Sequence, residues 1–213
     1  NQCESEALAD SFVKNGFEVE KEYKGAEITI VNTCTVTSKA EQKARRMIRL
    51  FSDKSEVVIV TGCYAEGSRE EIENLGDNIV VFSLSEKASI LSLPQHIGNM
   101  VLSGMNAYNA VKSFKKSERS VFSFDAHSFA YHSRAYLKIQ DGCDNSCGYC
   151  RTTIARGKSV FLGPEIVVER VKRLEEEGFH EVMLTGVNLT NYDHDGEGLG
   201  GVMEKILSAL GPD

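Results

Sequence analysis

Three short apolar runs, "EITIV" at 27–31, "EVVIV" at 56–60 and "NIVVF" at 78–82, are separated by stretches whose apolar residues fall at helical spacing. Those stretches are "ESEALADSFVKNGF", "KAEQKARRMIRLF" and "REEIENLG", with "SEKASILSL" following the third run. Strands that alternate with helices pair in parallel through right-handed crossovers, so this beat predicts an α/β chain whose N-terminal part is a doubly wound parallel sheet. Asn15-Gly16 reads as a helix stop, Ser38 with Glu41 as a capping box, and Pro94 as the end of the last helix. "ITIV" and "VVIV" are too apolar for sheet edges, which predicts a further strand ahead of Asn1.

Residues 1–94 are therefore expected to form one domain. Residues 95–133 show no clear period and mix Ser, Asn, Gly and charge, the composition of a connector. A second domain is expected over 134–213, opening with the strand "RAYLKIQDG" and continuing with the helix "GPEIVVERVKRLEEEGF", the strand "EVMLTG" and the helix "LGGVMEKILSAL". Two strand-helix units make only the first part of a (β/α) barrel, since a closed one takes roughly 200 residues or more.

Composition excludes some functions. A net charge of -7 over 213 residues argues against a nucleic-acid grip spread across the chain. Local basic runs remain at 43–49 and 112–119, each also explained as a solvated helix face or linker. The apolar runs are far shorter than the roughly 18 residues a membrane span needs. Six cysteines, placed beside Gly at strand ends or in tight spacing, favour metal ligation in a reducing cytoplasm over disulfides.

Three of them, Cys143, Cys147 and Cys150, stand in "DGCDNSCGYCRTT" as C-x3-C-x2-C. A structural zinc would need a fourth ligand, with His132 or His194 as candidates at unusual spacing. Buried structural thiols would not cluster in a polar loop with Gly142 and Gly148. An iron–sulfur cubane is the third reading, because it can leave one iron without a protein thiolate. Two more cysteines, Cys34 in "VNTCTV" and Cys63 in "VTGCYAE", end predicted parallel strands, where open α/β sheets place their ligand crevice. Neighbouring strands are about 4.8 Å apart, close enough for one cluster to reach both.

C-x3-C-x2-C with Tyr149 before the last Cys resembles the signature of radical S-adenosylmethionine enzymes. Together with "NQCESEAL", "VNTCTVTSKAEQKARRMIR", "VIVTGCYAE", "ARG" and "LTGVNL", it resembles the methylthiotransferases over almost the whole chain outside the connector. The resemblance implies a methylthiotransferase domain followed by a partial TIM barrel of the radical SAM type. It implies two 4Fe-4S clusters, one on Cys143, Cys147 and Cys150, the other on Cys34, Cys63 and an upstream cysteine. Cys3 is expected near the same crevice, where it could substitute for that upstream ligand, although the resemblance favours the upstream cysteine. S-adenosyl-L-methionine is implied as cofactor, with Tyr149 against its adenine and Gly186 and Asn188 at its methionine end; Gly186 taken alone also reads as an ordinary strand-to-loop turn.

The reaction implied is replacement of a C–H by C–S–CH3, one S-adenosylmethionine giving the methyl group and another the radical. The pattern most resembles the branch acting on N6-threonylcarbamoyladenosine in tRNA. The isopentenyladenosine branch comes second and the ribosomal-protein aspartate branch third. A zinc-stapled RNA-binding module without catalysis is the alternative of another class. Partners implied are the tRNA anticodon stem-loop and a flavodoxin-like or ferredoxin-like electron donor, with no membrane. Lys43, Arg45, Arg46 and Arg49 are candidate phosphate contacts, and Arg156 a candidate contact to cofactor or RNA. Alone, this stretch of chain is expected not to turn over, because water exclusion and substrate grip need the rest of the barrel and an RNA-binding domain.

Overall fold

A computed structural model describes residues 2–20, 25–125 and 134–210. Its first half is the expected parallel sheet, with strands β1 (Ile28–Thr33), β2 (Val57–Gly62) and β3 (Ile79–Val81) in the order β1-β2-β3. Every residue of β2 is buried, and the pleat sends its branched side chains alternately to two cores. Val57 and Ile59 pack with Leu8 and Phe12 of helix α1 (Gln2–Lys14); Val58 and Val60 pack with Ala44 and Ile48 of α2 (Ser38–Ser52). Helices on both faces make the sheet doubly wound. A cavity of about 770 Å³ lies along β1, walled by Leu8, Phe12, Phe17, Ile28 and Ile30 among others.

Three local expectations are corrected. The N-cap of α2 is Thr37 and not Ser38: Thr37 is extended, and its hydroxyl accepts from the Ala40 N–H at 3.1 Å. Glu41 consequently takes no part in a capping box, and its carboxylate turns to Thr35 and Arg151. Pro94 opens a helix, α5 (Leu93–Leu102), after a 3-10 turn over Lys87–Ser92; in the first helical turn a missing N–H costs nothing.

The stretch 95–133 is not featureless either. It holds most of α5 and all of α6 (Ala107–Ser113), whose Ile97, Ala107, Ala110 and Val111 join the first core. Asn106 caps α6 by accepting from the Asn109 N–H at 2.9 Å. Residues between α6 and 125 carry no helix or strand, and the end of this stretch, with His132, lies outside the described residues.

In the second half, β4 (Ala135–Lys138) pairs in parallel with β7 (Val182–Thr185), in register Ala135 to Val182 and Lys138 to Thr185. The crossover helix α8 (Pro164–Glu176) buries Val167, Val171 and Leu174. Helix α9 (Leu199–Ala209) follows and buries Val202 and Ile206. A short antiparallel pair, β5 (Gln140–Asp141) with β6 (Val160–Phe161), brackets the cysteine loop and its helix α7 (Arg151–Arg156). Ala135 and Leu174 also belong to the first core, so the halves share apolar contact. Two short helices, α3 (Cys63–Gly67) and α4 (Arg69–Glu73), complete the first half. No helix among the described residues is long and apolar enough to cross a membrane.

Candidate metal and cofactor site

The first pair of thiols is set by strand register. Thr33 stands opposite Gly62 in the β1-β2 ladder, so Cys34 and Cys63 leave adjacent strands at the same level. Gly62 has φ +103, and a Cβ there would meet the Thr33 carbonyl oxygen at 2.2 Å, so only glycine lets the two chain ends approach this closely. The Thr33 hydroxyl donates to the Thr61 carbonyl at 2.7 Å and accepts from the Ala65 N–H at 3.2 Å, tying the start of α3 to β1. Cys63 is buried and Cys34 half-buried. Cys3 looks elsewhere: its sulfur is 3.3 Å from the Tyr136 carbonyl of β4, and burial pushes its thiol pKa up.

The second set occupies the loop after β5. Cys143 is buried, Cys150 half-buried and Cys147 exposed, with the Cys150 N–H donating to the Cys147 carbonyl at 3.0 Å. Gly142 enters the loop at φ +71, where a Cβ would meet the Lys158 carbonyl oxygen at 2.0 Å. Hydrogen bonding from Thr153 lowers the Cys150 thiol pKa. Tyr149 is 89% exposed beside this loop.

The turn after β7 closes against the same loop. The Asn188 side-chain amide donates toward the Cys143 sulfur at 3.7 Å. Gln140, which sequence reasoning missed, holds the two together. Its side-chain carbonyl accepts from the Asn188 N–H at 2.8 Å, and its amide donates to the carbonyls of Gly142 at 2.7 Å and Asp141 at 3.0 Å. A Cβ on Gly186 would lie 2.7 Å from the Gln140 oxygen, so this glycine is a close approach and not just a turn.

Charged groups join the halves. The Glu41 carboxylate accepts from both the Thr35 hydroxyl, next to Cys34, and Arg151, next to Cys150. Deeper in, Glu4 of α1 accepts from Lys87 and Lys138, and Arg156 donates to both Asp141 oxygens at 2.7 and 2.8 Å. Burial pushes the Glu4 carboxyl up, but Lys87, Lys138 and Arg156 overcome it and hold it far below the usual carboxylate range. Asp141 is likewise lowered, with Lys138 and Arg156 outweighing its burial. Burial weighs more on Lys87, whose ammonium is pushed down.

Of the four basic residues of α2 expected at tRNA phosphates, Arg45 donates to the Tyr64 hydroxyl at 3.1 Å and to Glu71 at 3.3 Å, while Lys43, Arg46 and Arg49 are exposed. His194 packs near Gly163 and pairs with Asp195 at 3.6 Å. Among the described residues no three Cys, His, Asp or Glu side chains stand close enough to hold a metal ion.

Comparison with known proteins assigns both halves. Residues 1–83 match the model described as uncharacterized protein family UPF0004, and residues 137–206 match the radical SAM superfamily. The threonylcarbamoyladenosine tRNA methylthiotransferase MtaB of Treponema pallidum (strain Nichols) is 32% identical, over 97% of this chain and 55% of its own length. The Thermotoga maritima protein of the same name is 34% identical, over 99% and 46%. Over nearly its whole length the chain is similar to radical S-adenosylmethionine methylthiotransferases. A tRNA-2-methylthio-N(6)-dimethylallyladenosine synthase from Endomicrobium trichonymphae is 29% identical over 98% of the chain and 47% of its own length. The chain spans about half the length of the curated relatives it matches.

The match to the radical S-adenosylmethionine superfamily carries the expectation of an iron–sulfur cluster and S-adenosylmethionine. The donors of this chain fit in kind. Three thiols stand in eight residues, the backbone at Gly142 packs too tightly for any side chain, and a side chain at Gly186 would displace Gln140.

Proposed function

We propose that the full-length protein is a tRNA methylthiotransferase that converts N6-threonylcarbamoyladenosine beside the anticodon to its 2-methylthio derivative. The observation that carries this reading is the placing of two thiol sets on facing loops: Cys34 and Cys63 on one side, Cys143 to Cys150 on the other, linked by Glu41 and Arg151. Replacing a C–H by C–S–CH3 needs radical generation and sulfur supply within reach of one substrate, and facing loops suit that.

In this reading Cys143, Cys147 and Cys150 hold one 4Fe-4S cluster, and Cys34 and Cys63 contribute to a second. When bound, the first cluster supplies the electron that cleaves S-adenosylmethionine. Tyr149, Gly186 and Asn188 bind that cofactor: the exposed ring offers a face to its adenine, and Asn188 brings a donor beside Cys143. Exposed Lys43, Arg46 and Arg49 contact tRNA phosphates, whereas Arg45 and Arg156 are committed to internal partners. A first domain over 1–94 with α5 and α6 of the 95–133 stretch packed on its core, a second over 134–213, a cytoplasmic location and a flavodoxin-like or ferredoxin-like electron donor complete the proposal.

The relatives named for threonylcarbamoyladenosine at 32% and 34% identity favour that substrate over dimethylallyladenosine, named for a relative at 29%. Mass spectrometry of tRNA nucleosides from cells lacking the full-length gene decides between them. Loss of the 2-methylthio derivative of N6-threonylcarbamoyladenosine is expected. Unchanged nucleosides would refute the tRNA reading, and loss of the dimethylallyl derivative would shift the substrate. Colourless protein with zinc instead of iron and sulfide after anaerobic purification would support a binding module.

A further inference from the structure

The two thiol sets are joined through the protein interior by an unbroken run of polar contacts. It starts at Asn32, two residues before Cys34, whose side-chain oxygen accepts from Lys87 at 2.9 Å. Lys87 also donates to Glu4, and Glu4 accepts from Lys138 through its other oxygen. Lys138 donates at 2.8 Å to Asp141, two residues before Cys143. Asp141 in turn accepts from the Gly142 N–H at 2.8 Å and from Arg156, so it ties the entrance of the cysteine loop to the end of α7. Glu4, Lys87, Lys138 and Asp141 are all buried, and the Phe124 ring lies 5.8 Å from both lysine nitrogens, covering them. Cys3, next to Glu4, adds a contact from α1 to β4.

We propose that Glu4 is a positioning residue which, through Lys87 on one side and Lys138 on the other, fixes the cysteine loop of the second half against the Cys34 end of the first sheet. The docking stands on the contacts alone; its purpose, holding two cluster sites in register, rests on the function proposed above. Buried ion pairs suit this task better than apolar packing, because a carboxylate held by Lys87 and Lys138, with Arg156 at 3.7 Å, accepts one geometry, and removing it leaves two buried ammonium groups and a partly buried guanidinium close together. Surface pairs such as Arg134 with Glu181 would not transmit position in this way.

Hydrogen exchange of the full-length protein, read by mass spectrometry of peptides, tests the idea. Glu4→Gln, placed in the first half, is expected to raise exchange at least tenfold over residues 140–157 in the second. Lys138→Met, placed in the second half, is expected to do the same over residues 30–36 in the first. The Glu4→Gln/Lys138→Met pair is expected to fall short of the two effects added together, as for partners in one network. Exchange that rises only in the half carrying the substitution, or equally along the whole chain, overturns the inference. If Glu4→Gln does not fold, the reciprocal effect of Lys138→Met decides alone. Iron and sulfide content of reconstituted wild-type protein separates the two readings. A wild type without iron refutes the cluster assignment while leaving the exchange result to judge the docking; a wild type with iron and no cross-half effect refutes the docking alone.

Discussion

The Asn188 side-chain amide stands 3.7 Å from the Cys143 sulfur, joining the turn after β7 to the loop after β5. Both segments leave the same end of the second sheet, and Gln140 locks their backbones together. Replacing Gln140 by Leu keeps the volume but strands the Asn188 N–H and the Gly142 carbonyl. At about 1–3 kcal/mol for each buried group left unpaired, a loss of about 3 kcal/mol is expected in urea unfolding. S-adenosylmethionine affinity should fall with it, whereas Asn188→Ala should weaken that affinity, measured by calorimetry, with little effect on stability.

Gly142→Ala combines a positive φ with a Cβ placed on the Lys158 carbonyl. The backbone of 157–158 must move, at a cost of about 2–4 kcal/mol. A melting temperature within a degree of wild type would contradict this geometry. Gly148→Ala, with open space around its Cβ position, is the matched control and should be near neutral.

The capping assignment separates two adjacent hydroxyls. Thr37→Ala should cost about 1 kcal/mol in unfolding free energy, and Ser38→Ala should cost little. Equal losses would restore Ser38 as the cap.

Acid should destabilise the protein through its interior carboxylates. Glu4 and Asp141 both have folded pKa values below their ordinary ones, so the unfolded chain takes up protons first as pH falls. Their stabilisation is present above the ordinary carboxylate range, near pH 4, and is lost as pH drops below it. Glu4→Gln should flatten the fall in melting temperature between about pH 4 and pH 2. An unchanged slope would show that Glu4 titrates normally.

The sheet was legible because β2 is branched at four successive positions and can only be a strand buried on both faces. The cysteine loop stands out in the sequence because three thiols fall within eight residues. Gly186 and Asn188 are singled out only by resemblance, since "TGVN" is otherwise an ordinary turn; that Gln140 bonds to the Asn188 backbone could not be read from either segment alone. What stayed hidden depends on distance along the chain. Glu4 meets Lys87 and Lys138 across 83 and 134 residues, and nothing local marks a glutamate in an amphipathic helix as buried. Helix α6 escaped notice because its buried face is mostly alanine, which carries little periodic signal. Pro94 misled because the same residue that ends one helix can start the next.

Strands β1 and β2 run in step, so Cys34 and Cys63 share a level only because each strand has its present count of residues. One residue inserted or deleted in either would shift its thiol by about 3.3 Å and turn it to the opposite face. Divergent sequences of this type should therefore tolerate many exchanges of one branched apolar residue for another along these strands, and almost no change in their length.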